Sequence, residues 1–192
     1  MKTLIALFSN TWSQFTMNEN WVATPVELKS YALEGKLWKT LLNNLEDVEV
    51  AVFQSSLLQS NDSFSESYRR FIQVGSELSD KVANVFELGF EKGYSHVLFV
   101  ESILANTSTE KITEAVRELT KGKMVFVPDS RGSVLLAGMP AKTYHHWQTY
   151  SFGEQDSIVE ILSECYALGI PYHLMEPYSL EEAKSSFRRQ LV

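Results

Sequence analysis

The chain has 192 residues, 44% of them hydrophobic, and a formal charge of −7, with 17 Lys and Arg against 24 Asp and Glu. That size and apolar content suit a single α/β domain over residues 1–192, burying about 70% of the surface its unfolded chain would expose. An acidic balance without a dense basic cluster argues against a nucleic-acid partner, and the lone Cys165 leaves no internal disulfide or cysteine-based zinc site and points to a reduced, cytoplasmic setting.

Met1 to Phe8 begins like a signal peptide, but its apolar run stops at Ser9-Asn10 and no small-residue cleavage pattern follows, so Leu4 to Phe8 reads as the first strand. No run approaches the length of a membrane span. Ser9 to Ala23 carries Trp12, Phe15 and Trp21 without a clean period and reads as a long loop. Thr24-Pro25-Val26-Glu27 is a helix start: a capping Thr, Pro at the first helical position and Glu closing a capping box, with a helix to about Leu42. Val48 to Phe53 is predicted as a second strand, Gln54 to Phe64 as a Ser- and Asn-rich loop, and Glu66 to Ile72 as a short helix.

Gln73-Val74-Gly75-Ser76-Glu77-Leu78 reads as a turn, with Gly75 serving its backbone geometry, into a helix burying Val82, Val85, Phe86 and Phe90 and stopping at Gly93. The apolar run Val97-Leu98-Phe99-Val100 is the central strand. Ligands of open α/β sheets lie beyond the carboxyl ends of such strands, which puts Glu101 and Ser102 at the mouth of any site. Thr107 and Glu110 form a second capping box for a helix through Leu119. Met124 to Val127 and Val134 to Leu136 are predicted strands joined by Pro128-Asp129-Ser130-Arg131-Gly132-Ser133, the second an antiparallel exception in a mainly parallel sheet.

Tyr144 to Phe152 reads as an aromatic loop. Together with Trp12 and Trp21, its Tyr144, Trp147, Tyr150 and Phe152 are candidates for a ligand or partner surface. Asp156 to Leu168 is an amphipathic helix stopped by Gly169, Tyr172 to Met175 a last strand, and Ser179 with Glu182 the cap of a terminal helix. Strands alternating with helices predict a three-layer, mostly parallel α/β fold. His145 and His146 lack a third ligand at metal spacing, His96 and His173 read as structural, and Cys165 as a small core residue.

From Gln73 to Met139, about a third of the chain, the sequence resembles the selenodomain-associated transferase 1 family of GT-A-fold nucleotide-diphospho-sugar transferases. Three blocks carry the resemblance in order and spacing: Gln73-Val74-Gly75-Ser76-Glu77-Leu78, the apolar strand running into Val100-Glu101-Ser102-Ile103-Leu104-Ala105-Asn106-Thr107, and Val127-Pro128-Asp129-Ser130-Arg131-Gly132-Ser133 through Gly138-Met139. The resemblance implies a GT-A fold and a nucleotide-diphospho sugar as ligand. It makes Glu101 and Asp129 candidate catalytic groups and Asn10, Ser102, Arg131, Gly132 and Ser133 candidate substrate-binding residues.

The departures from the family pattern fall on the chemistry. Ser102 stands where the family has its strand-end Asp, Leu104 where it has Pro, Arg131 where it has the Asp of Asp-Gly-Gly, and Ser133 where it has the second Gly. No Lys or Arg lies between Asn10 and Pro25, where the family's basic loop falls, and Pro177-Tyr178-Ser179 occupies the region of its late Asp-x-Asp. In many such enzymes a hard divalent ion, held by carboxylate oxygens, neutralises the departing diphosphate. A guanidinium about 5 Å from such an ion repels it by roughly 5–8 kcal/mol at an effective dielectric of ~20. No metal site or other cofactor is therefore expected.

Two readings follow. In one, Arg131 replaces the ion, its planar donor fork suiting phosphate oxygens, with backbone amides approaching at Gly132 and Ser133 and with Glu101 or Asp129 as base. In the other, the fold persists without catalysis, as a binding or interaction module.

Overall fold

The structure, a computed structural model, describes residues 2–9, 45, 47–54, 68–101, 109–147 and 157–179. At its centre is β4 (His96–Glu101), buried at every position but its last. A strand buried on both faces needs cover on both, and the helices provide it. With β1 (Thr3–Ser9), β2 (Val48–Gln54), β3 (Arg69–Ile72), β5 (Met124–Pro128), β6 (Val134–Pro140) and β7 (Tyr172–Leu174) it forms one seven-stranded sheet in the order β3-β2-β1-β4-β6-β5-β7. Strands β3, β2, β1 and β4 run parallel, β6 runs antiparallel to both β4 and β5, and β7 is parallel to β5.

Alternation along β1 sorts the core into two layers. Leu4, Ala6 and Phe8 face α1 (Leu78–Glu91) and α3 (Ser157–Ala167), whose Val82, Val85, Phe86, Ile158, Ile161 and Cys165 join the same cluster. Ile5 and Leu7 face α2 (Thr109–Thr120), which contributes Ile112, Ala115, Val116 and Leu119. The chain is thus a three-layer, mostly parallel α/β structure, with the antiparallel strand where the sequence places it. That strand runs to Pro140, because paired β4 and β5 on either side carry it past Leu136.

Two predictions need correction. Arg69 to Ile72 is the parallel edge strand β3, not helix. Pairing with β2 wins: Phe71 stacks on Phe53 at 5.1 Å between ring centroids, and Arg69 reaches Glu49 at 3.2 Å. Trp147 is no surface aromatic. Ala141–His146 forms a 3-10 turn that delivers the Trp147 ring into the α1 face of the core, 1% exposed. The expected long loop after β1, the helix at Thr24, the cap at Thr107 and the terminal helix after Ser179 lie outside the described residues, as do Tyr150 and Phe152.

The turn into α1 shows why its residue types are needed. Gly75 has φ +128° and a Cβ there would collide with Asp80. The Asp80 carboxylate accepts the Ser76 hydroxyl at 2.9 Å and the N–H groups of Ser76 and Glu77 at 3.2 and 3.3 Å. These bonds, the Ser76 hydroxyl foremost, hold its carboxyl below the ordinary range. The Gln73 side chain donates to the Phe53 carbonyl at 3.0 Å, fastening the turn to the end of β2.

Candidate functional site

Of the candidate residues, Glu101 and the bend from Asp129 to Ser133 are placed by the sheet's register. Val100 of β4 and Val127 of β5 both oppose Leu136 of the intervening β6. The tip of β4 and the bend between β5 and β6 therefore share one edge of the sheet, two strand spacings or roughly 10 Å apart. Glu101 ends β4, half-buried, with its Cα opposite Phe8 of β1. Ser102 and Asn10 lie outside the described residues.

The bend itself is built on Asp129. Its Oδ1 accepts the backbone N–H of Arg131 at 2.8 Å and of Ser133 at 2.9 Å. Its backbone closes the same loop: the Asp129 N–H donates to the Ser133 carbonyl at 2.7 Å, and the Gly132 N–H donates to the Asp129 carbonyl at 3.2 Å. Asp is suited to this because its short side chain reaches N–H groups two and four residues on. Gly132 turns the chain with φ +87°, and its carbonyl accepts the Ile158 N–H at 3.2 Å, joining the bend to α3. On the other side the Tyr178 N–H donates to the Pro128 carbonyl at 2.8 Å.

One sequence reading changes here. The N–H groups of Arg131, Gly132 and Ser133 are already used inside the loop, so they offer no free cradle to phosphate. What remains toward solvent is the Arg131 guanidinium, 69% exposed and 3.5 Å from Asp129 Oδ2. An exposed pair of this kind is worth about 0–1 kcal/mol, so the guanidinium can exchange Asp129 for another anion at little cost. Asp129 Oδ1 is taken by two N–H donors and Oδ2 lies beside the Arg131 guanidinium, so a divalent ion at this carboxylate would meet a positive charge.

The same edge carries polar residues that the sequence reading passed over. Gln54 ends β2, 3% exposed, and accepts Arg70 Nη1 at 3.3 Å. The signal was present, since a polar residue closing an apolar strand is what singles out Glu101. Lys111, in the first turn of α2, donates to the Glu176 carbonyl at 2.9 Å and ties that helix to the segment after β7.

The histidines lie elsewhere. His145 and His146 are exposed with their rings 3.7 Å apart, His173 meets Glu114 at 3.0 Å, and His96 is buried at the start of β4. Cys165 is buried within the core, which pushes its thiol up to about 11.

Residues 38–153 match the profile of a family described as an uncharacterized protein conserved in bacteria, DUF2064. No curated protein matches the sequence. Among solved structures, a candidate nucleotide-diphospho-sugar transferase from Desulfovibrio desulfuricans G20 superposes with a TM-score of 0.72 at 14% identity, over 92% of this chain and 81% of that one. The 4-diphosphocytidyl-2C-methyl-D-erythritol synthase of Anaerococcus prevotii DSM 20548 gives 0.57 at 11%, over 100% and 97%. A CMP:2-keto-3-deoxy-manno-octonic acid synthetase complexed with CTP gives 0.53 at 8%, over 99% and 100%. At these identities the likeness is one of fold: the sheet is of the nucleotide-diphospho-sugar transferase type.

Proposed function

This chain belongs to the bacterial family DUF2064, and from its sheet we propose that it is a glycosyltransferase-like protein that binds a nucleotide-diphospho sugar at the carboxyl edge, without a divalent ion. The finer family resemblance, to the selenodomain-associated transferases, belongs to this proposal. The observation that carries it is the register across β6, which sets the β4 tip and the Asp129–Ser133 bend on one edge of the sheet, on either side of β6.

In this reading Arg131 meets the diphosphate, leaving Asp129 to hold the bend, while Asn10, Ser102, Gly132 and Ser133 border the ligand. Glu101 is the base. An acceptor hydroxyl oxygen attacks the anomeric carbon, its proton passes to Glu101, and the bond from that carbon to the diphosphate oxygen breaks, the diphosphate leaving with the electron pair against Arg131. No step passes through a metal.

Calorimetry across nucleotide-diphospho sugars in the presence of a chelator tests this. Saturable heat with one of them is expected, weakened by roughly tenfold to a hundredfold in Arg131→Ala, the worth of one charge-assisted contact. No heat with any of them overturns it.

A second reading, a binding module without turnover, is favoured by one observation: the Asp129 carboxylate is taken up by its own loop. Glu101 is then the one described carboxylate put forward as base. Transfer or hydrolysis above a heat-killed control would dismiss this reading.

A further inference from the structure

At the opposite edge of the sheet, by the amino ends of β1 and β2, the turn after α1 borders a cavity of about 260 Å³ lined by Lys2, Glu49, Arg69, Lys92, Gly93 and Tyr94. We propose that this cavity is a separate anion site that takes a phosphate dianion, free or as the monoester of a small molecule. It does not depend on the function assigned to the carboxyl edge.

Three cations and one carboxylate line the cavity, in a chain whose formal charge is −7. The carboxylate is already engaged. Glu49 accepts Arg69 Nε at 3.2 Å and the Tyr94 hydroxyl. Tyr94 keeps its proton for that bond, because burial first and Glu49 second push its hydroxyl up to about 12. Glu49 thus orders Arg69 and Tyr94 while leaving Lys2 and Lys92 uncompensated; neither lysine has an ion-pair partner among the described residues.

A bare helix C-terminus repels an anion, since it carries partial negative charge. Here the last carbonyls are occupied: those of Leu88, Gly89 and Phe90 accept the N–H groups of Lys92, Tyr94 and Gly93. The Lys92 ammonium is steadied over the Phe71 ring, 5.7 Å from its centroid. Lys2 and Lys92, without ion pairs among the described residues, line this cavity together with the Arg69 guanidinium, and each of the three can give a tetrahedral oxyanion a charge-assisted hydrogen bond. The cavity is open to solvent, so its affinity falls with salt.

The test is a titration of the full chain, labelled with nitrogen-15, with inorganic phosphate and separately with glycerol phosphate, chloride being adjusted to hold ionic strength constant. Saturable shifts of the Gly93 and Tyr94 amide signals are expected. Lys2→Gln and Lys92→Gln should each weaken the response by roughly tenfold with the rest of the spectrum unchanged. Tighter binding of glycerol phosphate assigns a monoester and tighter or equal binding of phosphate the free ion; both uphold the site. Shifts that chloride alone reproduces, shifts confined to Gly132 and Ser133, no saturable shift, or an affinity unchanged in both variants overturn it.

Discussion

Asp129 and Arg131 stand two residues apart and do opposite things. The carboxylate faces inward to the loop's N–H groups, and the guanidinium projects into solvent. Asp129→Ala should therefore act first on stability: two N–H groups lose their acceptor, at a cost of about 1–3 kcal/mol read from urea unfolding. Arg131→Ala should leave stability nearly unchanged and act on ligand binding. His96 gives a pH prediction. It is 4% exposed, its Nδ1 has no hydrogen-bond partner among the described residues, and burial first, then the terminal amine and Lys142, lower its pKa below 6.5. The unfolded chain takes up that proton near pH 6.5 and the folded chain resists it. This term makes stability fall as pH drops below 6.5 towards the lowered folded value, and it is silent above 6.5. Urea unfolding between pH 8 and pH 5 should show that loss in the wild type and a flatter acid limb in His96→Leu. An equal slope in both would rule His96 out.

Among the elements, α1 packs onto β1 and β4 through the bare backbone of Gly89. A Cβ at Gly89 would come within 2.5 Å of Val97 Cγ2 and 3.3 Å of Leu4 Cδ2. Alanine gains about 1 kcal/mol of helix propensity there, but overpacking a buried helix–strand contact costs about 1–3 kcal/mol. Gly89→Ala should be destabilised on balance, with a lower urea midpoint; a raised midpoint would contradict the packing. Elements with a period or a cap were legible in the sequence: β1, β4, α1 and α3 come close to their expected limits, and Gly75 serves the turn that it suggested. The β3 strand was not legible, because Arg69-Arg70-Phe71-Ile72 is too short for a period and becomes a strand only through β2. Trp147 was misjudged for a related reason. A run of aromatic and His residues looks like surface, and only the 3-10 turn before it shows which ring goes inward.

For the molecule as a whole, the alternation of strands and helices was enough to give three layers and a mainly parallel sheet, since burial on both faces leaves a recognisable run of apolar residues. The candidate site was legible only as a place. Strand ends mark the edge, but the hydrogen bonds that commit Asp129 to its loop depend on backbone geometry that no spacing reveals. The consequence reaches across the molecule. A sheet of the nucleotide-diphospho-sugar transferase type presents, at its carboxyl edge, an exposed guanidinium beside an acid whose Oδ1 is taken by its own loop. Its other edge presents two lysines that have no ion pair among the described residues. The central claim is that the carboxyl edge grips a diphosphate through Arg131 and no ion. The most direct measurement is a crystal structure of the chain grown with chelator and the best-binding nucleotide-diphospho sugar. The account predicts diphosphate oxygens within hydrogen-bond distance of the Arg131 guanidinium, between the β4 tip and the β5–β6 bend; a ligand seated elsewhere, or one that enters this edge only with manganese held by acidic side chains, would contradict it.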